Sequence, residues 1–267
     1  MPNIQCEKYR PLTNISNFYI CSSKKRQRYL SYQTAKIHYM LPIKPGGYTP
    51  KTGLALCMAI ATKVKGKHVL DIGAGETALA GMHSAFLGAK TVVATDIDKK
   101  AVIWARKVAK YAKTPHVTVL HTNLYPARSV GNKFDLIISN PPQMPTKKGL
   151  AHDAGGIDGR KYIVDILKQA AHYMTARGKV IITVFDFLTT TPTAISGVRG
   201  VNLKGIAQQL GYSMKIIKKF QRNVRAGGET EKNLGMIKTL YPGFVLHKTN
   251  SGSVYHYVYA LEFSRMR

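Results

Sequence analysis

Acidic residues are scarce in this sequence. Its 267 residues hold 13 Asp and Glu against 40 Lys and Arg, for a formal net charge of +27. A field of that size attracts polyanions, so nucleic acid, ribosomes and acidic protein surfaces are the partners to consider. A host whose proteins are generally basic would produce the same total. Cysteine is scarce too: Cys6, Cys21 and Cys57 are the whole supply. They form no CxxC pair and no tight Cys/His cluster, which argues against structural zinc, and no metal is expected. No disulfide is expected either, since three scattered thiols fit a reducing cytosol. No apolar run approaches the ~20 residues of a membrane span. Met1 to Arg10 contain no apolar signal core. The expected location is cytoplasmic, with no membrane partner.

What is present is ample for a core. Hydrophobic residues make up 45% of the chain, and the length suits one α/β domain with an extra segment. Residues 1–45 are expected to form a basic N-terminal arm or cap. They carry Lys8, Arg10 and Lys24-Lys25-Arg26-Gln27-Arg28, with Tyr9, Tyr19, Tyr29, Tyr32 and Tyr39 between them. Such a segment either tracks a nucleic acid and stacks on its bases or is a solvated helical face with its tyrosines packed inward. Residues 46–267 are expected to form the main domain. A turn at Gly46-Gly47-Tyr48-Thr49-Pro50 precedes a helix over Lys51–Val64.

From Gly66 onward strands and helices alternate. Strands are expected at His68–Ile72, Thr91–Asp96, Val117–Leu120, Phe134–Ser139 and Lys179–Phe185. Helices are expected after Gly75, at Lys99–Ala112 with Ile103 on the apolar face, and at Tyr162–Met174. That alternation predicts a doubly wound, mostly parallel sheet with helices on both faces. Beyond Phe187 the pattern loosens. Thr189–Thr193 reads as a loop, Val201–Leu210 as a helix, and Met214–Phe220 and Val254–Phe263 as two strands that pair. Arg222 to Lys232, between them, reads as a polar, basic stretch.

Two local patterns carry chemistry. In Val69-Leu70-Asp71-Ile72-Gly73-Ala74-Gly75-Glu76 a strand ends in an acid, and Gly-x-Gly follows. Glycines let the backbone approach a ligand at the carboxyl end of a strand, and amides at a helix N-terminus suit a carboxylate or a phosphate. Asp96 ends the next strand, where an acid accepts both ribose hydroxyls; a helix-capping Asp would also sit there. The pair points to an adenosine-containing ligand without choosing between NAD and S-adenosylmethionine. The second pattern is Asp135-Leu136-Ile137-Ile138-Ser139-Asn140-Pro141-Pro142-Gln143. Two prolines after a buried strand fix a rigid turn. That turn offers the Asn140 side chain and the Pro141 carbonyl as acceptors for a nitrogen's protons, leaving its lone pair aimed at an incoming methyl group. A purely structural turn is the alternative.

The order Asp71-x-Gly73-x-Gly75, Asp96, then Phe134-Asp135-x-x-x-x-Asn140-Pro141-Pro142 resembles the class I S-adenosylmethionine-dependent methyltransferases that modify nitrogen. More narrowly, Ala154-Gly155-Gly156-Ile157-Asp158-Gly159-Arg160 is similar to the Gly-Gly-x-Asp-Gly element of the HemK-type glutamine methyltransferases. The resemblance covers residues 48–185. It implies a Rossmann-like sheet of seven strands with an N-terminal extension, and S-adenosyl-L-methionine as cofactor. It assigns Asp71, Gly73, Ala74 and Gly75 to the methionine end and Asp96 to the ribose, and adds Ile97, Asn123 and Asn140 to the cofactor site. Asn140, Pro141, Pro142 and Gln143 become the catalytic residues. Gln143 stands where the family has an aromatic residue, and Asn123 where it has Asp.

The resemblance implies methylation of a protein side-chain nitrogen, on a release-factor- or ribosome-associated substrate. A base methyltransferase of RNA or DNA, a small-molecule N-methyltransferase and a catalytically silent nucleic-acid-binding module are the alternatives. His68, His83, His116 and His121 show no ligand spacing and read as structural. Trp104 reads as packed, Asp158 as a cap for the following helix, and Lys147 and Lys148 as flanking the site.

Overall fold

The computed structural model describes residues 4–49, 51–128, 133–145, 154–191 and 201–266. Lys147, Lys148, Pro192 and Thr193 lie outside them. Five strands form the parallel part of the main sheet: β5 (His68–Ile72), β6 (Thr91–Asp96), β7 (Val117–His121), β8 (Phe134–Ser139) and β9 (Met174–Phe185). β10 (Tyr212–Asn223), β11 (His247–Lys248) and β12 (Val254–Arg265) complete it. The strand order is β10-β12-β9-β8-β5-β6-β7, with the two-residue β11 against β12. β12 runs antiparallel to both β9 and β10. The expected pairing of the last two long strands is therefore present, and β12 inserts between β9 and β10.

The inner strands are apolar throughout because both faces are covered. Ile137, Ile138, Ile181 and Ile182 are fully buried, and each contributes roughly 1.5–3 kcal/mol through burial. The covering helices include α1 (Thr52–Ile60), α2 (Leu79–Phe86), α3 (Lys99–Tyr111), α4 (Lys161–Tyr173) and α5 (Leu203–Gln209). α3 starts where Asp98 accepts the Lys100 amide proton, which satisfies one of the first turn's orphan donors. Its buried stripe is Ala101, Val102, Ala105 and Val108. Ile103 is not part of it: the side chain is 47% exposed, because it lies about 100° around the helix from Val102.

Residues 4–45 contain no helix, so the solvated helical face is not what packs their tyrosines inward. They form a four-stranded antiparallel sheet, β1 (Ile4–Lys8), β2 (Phe18–Ser23), β3 (Arg28–Gln33) and β4 (His38–Pro42), in sequential order. Phe18, Ile20, Leu30, Tyr32, Tyr39 and Leu41 face inward and join the core of the main domain. Tyr39 stacks on Phe86 of α2 at 4.4 Å and bonds His83 Nδ1 at 2.7 Å. The tyrosines of this sheet's inner face are thus packing residues.

The register of β1 on β2 places Cys6 opposite Cys21, and the two form a disulfide. This overturns the expectation of three free thiols, which holds for Cys57 alone. The spacing of 15 residues resembles no cysteine motif, and only strand pairing brings the two together. The basic stretch after β10 is also more ordered than expected, forming α6 (Glu229–Lys232) and α7 (Leu234–Leu240). Among the described residues no helix is long and apolar enough to cross a membrane, and no group of three His, Cys, Asp or Glu could hold a metal.

Candidate active site

The sheet reverses its strand order at β5, which has β6 on one side and β8 on the other. Open α/β sheets bind ligands in the crevice at such a point, at the carboxyl ends of the strands. At that end of the sheet Asp71, Gly73, Ala74 and Gly75, on β5 and the turn after it, stand to one side with Asp96 at the end of β6. Asn140 and Pro141, directly after β8, stand to the other.

On the first side the backbone does most of the work. Gly73 and Gly75 have φ of +68° and +69°, a region costly for side chains other than glycine's. A Cβ at either would meet nothing within 4 Å, so a ligand has room against the bare backbone. The amides of Gly73 and Ala74 both donate to the Thr95 carbonyl, at 2.9 and 3.0 Å. The Gly75 amide donates to Asp96 Oδ2 at 2.8 Å, and Asp98 N–H donates to Asp96 Oδ1 at 2.8 Å. The expected cradle of free amides is therefore replaced: the Gly73, Ala74 and Gly75 amides hold the turn against β6, and the Gly75 and Asp98 amides fix the Asp96 carboxylate. Ile97, 67% exposed, stands beside that carboxylate. Asn123 is exposed just beyond β7.

Asp71 lies beneath the turn. It is buried, and its Oδ2 accepts the Gly81 amide proton at 2.8 Å. Burial pushes its carboxyl up to about 7; the Gly81 bond opposes the shift and the Asp96 charge adds to it. A cationic amine in the crevice would favour the charged form.

On the second side, side chains do the bracing. Asn140 Oδ1 accepts from the Thr183 hydroxyl of β9 at 2.6 Å. Gln143 does not sit at the mouth of the site. It is buried, its Oε1 accepts from Phe185 N at 2.6 Å, and its Nε2 donates to the Thr183 and Pro141 carbonyls at 3.2 and 3.3 Å. A residue wholly engaged with backbone cannot also present itself to a substrate, so Gln143 locks the turn to β9 rather than acting on an acceptor.

The Gly-Gly-x-Asp-Gly element packs against the same turn. A Cβ on Gly155 would come 2.5 Å from Gln143 Cα, and one on Gly159 would come 2.5 Å from the Gln143 carbonyl oxygen. Asp158 is not the cap it was expected to be: its Oδ1 accepts from Arg160 N at 3.0 Å, but Arg160 is itself the N-cap residue of α4, which has no side-chain cap bond. The sequence motif gives Arg160 no role of its own, yet this residue ties the start of α4 to the segments after β9 and before α5. Its buried guanidinium donates to the Leu188 carbonyl at 2.6 and 2.9 Å and to that of Val201 at 3.2 Å, and also bonds the Thr190 carbonyl. Tyr241, past the end of α7, lies 5.2 Å from it and donates to the Asp158 carbonyl at 2.5 Å. Thr183, too, gives no signal in the sequence, since a β-branched residue in a buried strand reads as packing.

A switch-point crevice with an acid-ended β6 and this strand order defines a class I methyltransferase architecture. The methyltransferase small domain family matches residues 51–217, and the chain belongs to that family. It is an S-adenosylmethionine-dependent methyltransferase that resembles the HemK type. A protein of Methanocaldococcus jannaschii named as a putative protein N5-glutamine methyltransferase is 32% identical over 147 residues, or 52% of this chain and 73% of the relative. The release factor glutamine methyltransferase of Fusobacterium nucleatum is 29% identical over 46% of this chain, which spans only 38% of that relative. The solved ribosomal protein L11 methylase of Lactobacillus delbrueckii subsp. bulgaricus superposes with a TM-score of 0.52 at 20% identity, over 88% of this chain and 91% of that one, a likeness of fold.

Proposed function

We propose that this chain methylates a side-chain nitrogen of a protein, and that the acceptor nitrogen is held by Asn140 Oδ1 and the Pro141 carbonyl. The observation that carries this reading is the 2.6 Å bond from Thr183 to Asn140 Oδ1, at the carboxyl end of β8 beside the glycine turn. Each acceptor oxygen has two lone pairs. Thr183 and Gln143 take one apiece, and the second of each is left for an N–H of the substrate. Held by two such bonds, the nitrogen directs its lone pair at the electrophile.

The cofactor residues follow from the other side of the crevice. Gly73, Ala74 and Gly75 allow close approach of the methionine portion, and Asp71 beneath them answers its ammonium. Asp96 takes the ribose hydroxyls, and Ile97 and Asn123 border the adenine. The cofactor supplies a methyl group already activated by its sulfonium. With the cofactor bound, Asn140 Oδ1 and the Pro141 carbonyl would hold the acceptor nitrogen in line with that methyl group until the nitrogen gives up one proton. The protein's part is alignment and exclusion of water, worth several kcal/mol when geometry is held. The names of the relatives support a glutamine amide in a release factor or a ribosomal protein as acceptor. The division into an N-terminal cap over residues 1–45 and a catalytic unit over 46–267 also remains our reading, as does a cytoplasmic location.

A methyl-transfer assay on ribosomal and translation-factor fractions tests the proposal. Label should enter protease-sensitive, nuclease-resistant material. Label entering nuclease-sensitive material instead would transfer the assignment to base methylation, which the positive charge also fits. Calorimetric titration with S-adenosylhomocysteine, with NAD as control, tests the cofactor side alone.

A further inference from the structure

We infer that the outer face of α3, with the β2–β3 hairpin beside it, is a docking surface for single-stranded RNA. Lys100, Ile103, Lys107 and Tyr111 recur at helical spacing and lie along one stripe, about 16 Å long at 1.5 Å per residue. Ile103 and Tyr111 are 47% and 43% exposed, although a solvated helix face has no need of large apolar groups. α3 contains no acidic residue. Trp104 forms one wall of a groove of about 440 Å³ with Lys44, Pro45, Lys100, Ile103 and Lys107, and Lys107 Nζ stands 5.5 Å from its ring centre.

The N-terminal sheet extends this surface. Tyr29 of β3 meets Tyr111 at 6.0 Å, and the turn before β3 presents Lys24, Lys25 and Arg26, all exposed. Up to residue 70 the chain has twelve Lys and Arg and a single acid, Glu7. At the other end Lys44 reaches Glu76 of the glycine turn at 2.6 Å, so the groove abuts the candidate cofactor site.

Rings and an exposed aliphatic side chain interleaved with ammonium groups match the two needs of an unpaired strand, stacking for the bases and cations for the phosphates. An acidic peptide would use the cations and leave the rings idle. Unpaired strands are the usual form of RNA rather than of DNA. A surface of this kind would bring the methyl acceptor to the crevice as part of a ribonucleoprotein. The inference does not rest on the identity of that acceptor.

Trp104 is the chain's only tryptophan, so the intact protein carries its own probe. A 20-nucleotide single-stranded RNA should quench its fluorescence saturably, with an affinity that falls steeply as salt is raised. The K100E/K107E double variant should weaken binding at least tenfold while titrating normally with S-adenosylhomocysteine. Replacing the exposed turn residues in K24S/K25S/R26S should weaken it several-fold. RNA that binds without quenching Trp104 and is indifferent to both variants would place its site elsewhere and overturn the inference. So would polyglutamate that competes as well as RNA, or a DNA 20-mer bound more than tenfold tighter.

Discussion

The two sides of the crevice are built by different means. The glycine turn is held by its own backbone amides, which donate to Thr95 and Asp96 of β6, with Gly75 and Asp96 21 residues apart. The Asn-Pro-Pro turn is held by buried polar side chains across about twice that separation: Thr183 to Asn140 across 43 residues and Gln143 to Phe185 across 42. Backbone anchoring tolerates changes in the surrounding side chains and suits a cofactor that never varies. Side-chain anchoring requires each polar partner to be satisfied, because a buried donor left alone costs about 1–3 kcal/mol. The acceptor side is therefore where one substitution does the most damage.

The largest effect expected is on stability against pH, from two buried groups of opposite sign. His83 is buried, and burial pushes its imidazole down to about 3 from an ordinary 6.5. Its contribution is complete above pH 6.5 and is lost as pH falls toward 3. Asp71, pushed up to about 7, contributes fully below its ordinary value near 4 and loses that contribution as pH rises toward 7. Each is worth on the order of 4 kcal/mol over its window, since every tenfold change in proton affinity between the folded and unfolded chain is worth about 1.4 kcal/mol. In the cofactor-free protein the two slopes should largely cancel between pH 4 and 6.5. Asp71→Asn should unmask a loss of stability with acid, read as urea midpoints at pH 7, 5.5 and 4.5. A flat profile in that variant would contradict the His83 assignment.

Next comes Asn140→Ala. Removing one aligned hydrogen-bonding group from a reacting centre costs roughly 10²–10³-fold in rate, so methyl transfer should fall by about that factor. The affinity for S-adenosylhomocysteine should stay put. Undiminished turnover would sink the acceptor-side assignment.

Gly159→Ala sharpens the contrast between the sides. Its φ is +81°, and the added methyl would press on the Gln143 carbonyl, for a loss of about 2–3 kcal/mol. Gly73→Ala has open space around it and should cost only the φ penalty, about 1–2 kcal/mol. Thermal denaturation of both variants checks the order. Asp96→Ala, which removes an acid proposed to meet the ribose, acts on binding rather than on folding. Calorimetry should show S-adenosylhomocysteine binding weakened by about tenfold to a hundredfold, equivalent to about 1.5–3 kcal/mol for hydrogen bonds to a charged group.

In the parallel half of the sheet β5, β6 and β8 have the expected bounds, while β9 begins at Met174, a residue expected to end α4, rather than at Lys179. Thr91–Asp96 and Phe134–Ser139 fall where the apolar runs place them, because strands buried on both faces need unbroken hydrophobic stretches. The N-terminal sheet was not legible, since its strands are only five or six residues long and mix tyrosine and aliphatic residues with polar ones, as in Arg28-Tyr29-Leu30-Ser31-Tyr32-Gln33, a pattern a solvated arm also shows. Gln143 was visible as a departure from the family pattern, but its direction was not. Whether a side chain at a turn points outward or back into the sheet depends on the strand next door, and β9 lies 31 residues further along at its start.

The sequence by itself determined the class of this protein. A strand ending in Asp before Gly-x-Gly, an acid at the end of the next strand, and Asn-Pro-Pro after the fourth are local patterns whose chemistry is carried by residue type and spacing. Only the tertiary structure decided how those parts are held. It turned the glycine-loop amides onto β6, buried Gln143, joined Cys6 to Cys21 and set Arg160 across the carbonyls of Leu188, Thr190 and Val201. All four are pairings between segments distant in the chain. Their partners are fixed by which strands and loops the hydrophobic core brings side by side, and no short window of sequence contains that information.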